Sequence, residues 1–160
     1  MTPDPARFIT VTEASAPGLY WPIKRSFVLY IVRIADGEIR GGPGVRMADA
    51  STFVWDCADG ADETTLSFRG DLVFRAHEGA LSFRVTEPVV DLSGDRATMT
   101  VAGDAGRVTM VTFDAVADDG AEPRAWKGVD VRLTDEALSM FAGYYGPGEQ
   151  FDDLRIVLPR

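Results

Sequence analysis

The chain is 160 residues long, with a formal net charge of −9 and a sequence pI near 4.5, long enough for one domain with its own core. That charge argues against nucleic acid as a partner, because phosphate backbones reward clustered Lys and Arg through counterion release. A single cysteine, Cys57, and a single histidine, His77, leave no internal disulfide and too few nitrogen and sulfur donors for a structural zinc site.

Met1 to Arg7 lack a basic stretch running into an apolar one, and no segment approaches the roughly 18 apolar residues of a membrane span. The expectation is a soluble, cytoplasmic protein with no membrane segment, or a secreted or cell-surface one if a leader has been trimmed away. Over Pro22 to Ile34 the apolar residues Ile23, Phe27, Tyr30, Ile31 and Ile34 recur at helical offsets, with Pro22 suited to a first turn. The β-branched Ile31, Val32 and Ile34 let a strand compete over its later half. From Phe53 to Phe113 short apolar stretches alternate with turn residues. Thr65 to Phe68, Leu72 to Phe74, Ala80 to Val85 and Val108 to Phe113 read as strands. Arg69-Gly70-Asp71, Glu78-Gly79, Ser93-Gly94-Asp95 and Gly103-Asp104-Ala105-Gly106 read as the turns of antiparallel hairpins. Thr134-Asp135-Glu136 opens a second helix through Ala142, stopped by Gly143, and Leu154 to Leu158 is a last strand. These elements predict one domain over residues 1–160, all-β in class, an antiparallel sandwich or barrel-like fold with two short α-helices.

Few patterns in the chain carry chemistry. The acidic runs Asp56 to Asp62 and Asp118 to Glu122 are scattered as on a solvated surface, and the same reading covers the pairs Asp118-Asp119 and Asp152-Asp153. No Gly-x-Ser-x-Gly elbow accompanies the serines and His77. Gly41-Gly42-Pro43-Gly44 and Gly146-Pro147-Gly148 follow neither nucleotide-binding glycine pattern. Trp21, Trp55 and Trp126 are most simply core or edge residues. Aromatic and polar residues do concentrate in three segments, Tyr20 to Ile31, Gly70 to Leu81 and Phe141 to Gly148, and a helix puts Ser26 and Tyr30 on one face at i and i+4.

In order and spacing these segments resemble the HtaA-type haem-binding domain of bacterial haem-uptake proteins. Trp21 and Ser26-Phe27-Val28-Leu29-Tyr30 match its first element with one residue inserted before the serine. Gly70 to Leu81 with Pro88 match the second, and Gly143-Tyr144-Tyr145 with Gly148 and Asp152 match the third. Ala76 stands where the family has Gly before the His, and Tyr144 where it has Phe; Pro22 and the inserted residue alter the helix start.

The resemblance implies ferric haem b as cofactor and Tyr30 as the iron ligand. Ser26 would reach a propionate, His77 would bond the Tyr30 hydroxyl, and Ile31, Tyr144 and Tyr145 would line the pocket. Phenolate is a hard donor suited to ferric iron, and tyrosine is a known axial haem ligand. The expected role is haem uptake, transfer or storage, not catalysis, with other haem-carrier proteins as partners and the oligomeric state open. The alternatives are an interaction or adhesion module on the same fold without haem, and a haem-dependent enzyme.

Overall fold

The computed structural model describes residues 16–49, 51–60, 62, 64–118 and 124–159. Met1 to Arg7 and most of the acidic run ending at Glu122 lie outside them. Among the described residues the strands are β1 (Gly18–Trp21), β2 (Glu38–Gly41), β3 (Val45–Met47), β4 (Phe53–Cys57), β5 (Thr65–Arg69), β6 (Asp71–Ala76) and β7 (Leu81–Thr86). They continue with β8 (Val89–Asp91), β9 (Ala97–Gly103), β10 (Gly106–Ala117), β11 (Ala125–Leu133) and β12 (Leu154–Val157), and α1 (Arg25–Arg33) lies between β1 and β2. The ring order β1-β12-β11-β10-β9-β8-β5-β4 closes when β4 returns to β1 through Leu19 opposite Trp55 and Trp21 opposite Phe53. This is an antiparallel, barrel-like sheet, with β3 added along β4. A separate three-stranded sheet, β2-β6-β7, sends Ile39, Leu72, Phe74 and Phe83 into the same core.

Alternation explains why the three-stranded sheet forms where it does. Leu72, Phe74 and Ala76 of β6 and Leu81, Phe83 and Val85 of β7 are buried, while Arg75, Ser82 and Arg84 face out. The hairpin between them, with Ala76 opposite Leu81, turns through Glu78-Gly79, and Gly103 opposite Gly106 closes β9 onto β10.

Arg69-Gly70-Asp71 is a different kind of corner from the expected hairpin, because β5 belongs to the barrel and β6 to the smaller sheet. Gly70 takes φ +131°, and a Cβ there would crowd the Val45 side chain. The chain crosses back at Glu87, whose N–H donates to Gly70 O at 2.9 Å while Gly70 N–H donates to the Glu87 carboxylate at 3.2 Å.

Both helical segments differ in detail from the sequence reading. Pro22 lies outside α1 because Ile23 adopts φ +65°, a conformation costly for a β-branched residue. The helix therefore starts at Arg25. Its first N–H donates to Asp152 Oδ2 at 2.7 Å, so a residue from the far end of the chain satisfies one orphan donor of the first turn. The segment Asp135–Phe141 is a 3-10 helix, not α, opened by Ala137 N–H donating to Thr134 O and ended by Ala142 and Gly143 at φ +51° and +83°.

Aromatic packing joins these parts. The Phe27 ring of α1 meets Phe74 of β6 at 5.5 Å, Phe83 of β7 at 5.7 Å and Phe141 of the 3-10 helix at 5.5 Å, all edge to face. Phe27→Ala should therefore lower the unfolding free energy in a denaturant titration by about 3–5 kcal/mol. The exposed control Val116→Ala should stay within about 0.5 kcal/mol. Equal midpoints for the two variants would contradict this account of the core.

Candidate functional site

The amphipathic period of α1 sets what it shows to solvent. Phe27, Val28 and Ile31 are buried, and the other stripe, Ser26, Leu29, Tyr30 and Arg33, faces out. Tyr30 is 39% and Leu29 47% exposed, unusual for large apolar side chains. Two other elements converge on Tyr30. The β6–β7 turn carries His77, whose Nε2 lies 2.7 Å from Tyr30 Oη. The chain leaving the 3-10 helix carries Tyr144, whose Oη lies 3.3 Å from Tyr30 Oη and 3.3 Å from His77 Nε2. Three polar groups from three elements thus form one hydrogen-bonded triangle at the surface. An open pocket of about 350 Å³, lined by His77, Ala80, Leu81, Ala142 and Tyr144, adjoins it.

The backbone around this triangle is strained. His77, Glu78 and Ala142 have φ of 55°, 57° and 51°, three of the six non-glycine residues with positive φ among those described. Such conformations cost roughly 1–2 kcal/mol each for L-residues and tend to collect at functional sites. Gly79, at φ +91°, is the only residue of the turn from His77 to Gly79 suited to this backbone.

The surroundings raise the phenol. The hydrogen bond with Tyr144 holds the Tyr30 hydroxyl above its ordinary ionisation range, and desolvation, the neighbouring Tyr144 charge and the Asp36 carboxylate push the same way. Asp36, in contrast, lies below the usual carboxylate range, chiefly because Glu78 N–H donates to it, the His77 amide acting in the same sense.

Of the residues expected at a site, Tyr30, His77 and Tyr144 come together, and Ser26 lies exposed one turn before Tyr30 on the same helix face. Ile31 does not join them. It is fully buried in the main core, on the opposite stripe of α1. Tyr145 also packs inward, against Phe27, Phe141 and Phe151 with Lys24 Nζ 5.6 Å above its ring. Burial raises its phenol, and the nearby Glu149 adds to the effect.

The sequence reading singles out neither Ala80 and Ala142, which line the pocket beside the triangle, nor Asp36, nor the exposed Leu29. The exposure of Leu29 follows from the burial of Phe27, Val28 and Ile31 on the other side of the helix. Ala142 and Asp36 carry no local signal.

A larger groove of about 580 Å³ lies elsewhere, lined in part by Tyr20, Trp126, Asp49 and Arg155. Its polar groups are engaged locally. Asp49 accepts the amides of Ser51 and Thr52, and Arg155 lies 4.6 Å from the Tyr20 ring centroid. Size alone therefore does not mark the site. Among the described residues no group of three or more His, Cys, Asp or Glu converges as a bare metal ion would need, and no helix is long and apolar enough to cross a membrane.

Comparison with known proteins gives the fold a context. The HtaA family model, described as Htaa, matches residues 17–157. The C-terminal domain of HtaA from Corynebacterium glutamicum superposes with a TM-score of 0.71 at 23% identity, covering 86% of this chain and 92% of that one. A domain-swapped dimer of a histidine-to-alanine variant of that domain gives 0.62 at 22% identity, covering 94% and 99%. The haem-binding protein HtaB from the same organism gives 0.62 at 16% identity, covering 86% and 89%. No curated protein matches the sequence.

The triangle can be probed with no ligand present. Tyr144→Phe removes the leading cause of the elevated Tyr30 ionisation, so an ultraviolet difference titration should show one phenol ionising at lower pH than in the parent. A titration curve superposable on the parent's after allowance for the lost tyrosine would count against the triangle.

Proposed function

The chain belongs to the HtaA family, and from that premise we propose that it binds ferric haem, with Tyr30 as the axial iron ligand, for haem uptake, transfer or storage. The observation that carries this reading is the 2.7 Å contact between Tyr30 Oη and His77 Nε2 on an exposed helix face. A buried tyrosine satisfied by a histidine would be ordinary packing, but this pair stands open to solvent beside an apolar pocket.

The donor set fits the group. One phenol is a poor site for a bare ion, which needs several protein ligands. It is enough for an iron whose equatorial positions are already filled by a macrocycle. Leu81, Tyr144 and the alanines of the pocket supply apolar surface for a porphyrin, with few polar groups, as in most ligand sites. Ser26, exposed one turn before Tyr30 on the same face of α1, is the propionate contact in this reading.

The proton has somewhere to go. The hydrogen bond with Tyr144 raises the Tyr30 phenol above its ordinary range, and ligation would require the phenolate. His77 Nε2, 2.7 Å from Tyr30 Oη, is the group in reach that would take up the phenolic proton and would then hydrogen-bond the ligating oxygen. Tyr144 Oη lies 3.3 Å from the same oxygen.

A binding role fits better than catalysis. Peroxidase-like chemistry needs a separate acid or base, and the chain's one histidine is engaged with Tyr30. An exposed ligand also suits hand-over to another haem carrier, since neither partner must unfold to reach it.

Hemin titration followed by absorbance tests the reading. Tyr30→Ala should abolish binding or weaken it severely. His77→Ala should retain binding with affinity lowered about 10- to 100-fold, the range for loss of a group that orients a metal ligand, and with a shifted spectrum. Wild-type affinity and spectrum in Tyr30→Ala would refute the proposal.

A further inference from the structure

The His77 turn is held by a carboxylate from another part of the chain. Its local bond, Ala80 N–H to His77 O at 3.0 Å, closes the hairpin but does not fix where the loop sits relative to α1. Asp36 spans that gap. Its Oδ2 accepts Glu78 N–H at 2.6 Å, a tie between residues 42 apart in sequence.

Asp36 is itself fixed to the end of the helix that carries Tyr30. Ile34 N–H donates to Tyr30 O at 3.2 Å, and Gly37 N–H donates to Ile34 O at 3.0 Å. The fold-back is so close that a Cβ on Gly37 would collide with the Ile31 carbonyl oxygen. Tyr30 and Asp36 therefore belong to one rigid unit, and the strained turn His77-Glu78-Gly79 meets that unit at two points. Its imidazole meets the phenol and its backbone meets the carboxylate.

We infer that Asp36 is a positioning residue of the haem site proposed above: by gripping the backbone of the His77 turn, it holds the imidazole against the Tyr30 hydroxyl. The inference rests on that proposal for its functional meaning, but the grip itself exists without haem. Two non-glycine residues in left-handed conformations would relax if released, and relaxation would swing His77 away from Tyr30. A charge-assisted bond to a backbone N–H is well suited to prevent this.

The test uses Asp36→Ala and Asp36→Asn, both checked for folding by circular dichroism. In the haem-free protein, amide exchange at Glu78 should quicken at least tenfold in Asp36→Ala and stay protected in Asp36→Asn, whose side-chain oxygen still accepts the bond. With hemin, Asp36→Ala should shift the spectrum toward that of His77→Ala and lose about 10- to 100-fold in affinity, and Asp36→Asn should recover most of the loss. The double variant Asp36→Ala with His77→Ala should bind no more than about threefold more weakly than His77→Ala alone, since both changes remove one interaction.

Unchanged Glu78 exchange, a wild-type hemin spectrum in Asp36→Ala, or losses that multiply in the double variant would each overturn the inference. Failure of the haem reading is told apart by Tyr30→Ala. If that variant binds hemin normally, the site is wrong, whatever Glu78 exchange shows. If it does not, a silent Asp36→Ala removes only the positioning role.

Discussion

The ring of Phe27 is the point from which the surface chemistry is positioned. It meets Phe74, Phe83 and Phe141 edge-on, joining the helix, the three-stranded sheet and the 3-10 helix. Each polar residue of the triangle lies three positions beyond one of these rings in its own segment: Tyr30 after Phe27, His77 after Phe74 and Tyr144 after Phe141. Buried aromatic contacts are stiff and directional, so packing decided below the surface fixes distances above it. Loss of the Phe27 ring would loosen all three approaches together.

The barrel closes on itself, and the groove of about 580 Å³ on its wall is lined by polar groups that are engaged locally. It leaves the smaller sheet and α1 to meet at one edge, where the β6–β7 turn reaches α1. Strain gathers there at His77, Glu78 and Ala142, while the adjoining strands alternate regularly. Tyr30 and Tyr144 stand partly exposed at this edge, their hydroxyls 3.3 Å apart.

Much of this was legible in the sequence, and the parts that were not have physical reasons. β6, its turn and β7 stand out because alternation and a Glu-Gly pair coincide. β1 does not, because all four of its residues are buried, and β3 and β8 are only three residues long. The start of α1 was misplaced because nothing local announces a left-handed isoleucine at position 23. The resemblance implies Ile31 for the pocket as the neighbour of Tyr30, but successive helix residues point about 100° apart, and Ile31 falls on the buried stripe of α1. Tyr144 and Tyr145 are neighbours with opposite fates, which tertiary packing alone decides. Gly70 read as a hairpin because a corner between two sheets uses the same positive φ as a turn. The bond from Asp36 to the Glu78 amide, like the Asp152 cap on α1, joins distant segments and leaves no trace in either one.

The central claim is that the Tyr30 oxygen binds iron. Resonance Raman spectra of the hemin complex, recorded for the parent and for Tyr30→Phe, address it most directly, because phenylalanine keeps the ring and removes only the oxygen. The account predicts iron–phenolate vibrations in the parent that vanish in Tyr30→Phe. Identical phenolate bands in both proteins, or none in a parent that binds hemin tightly, would contradict it.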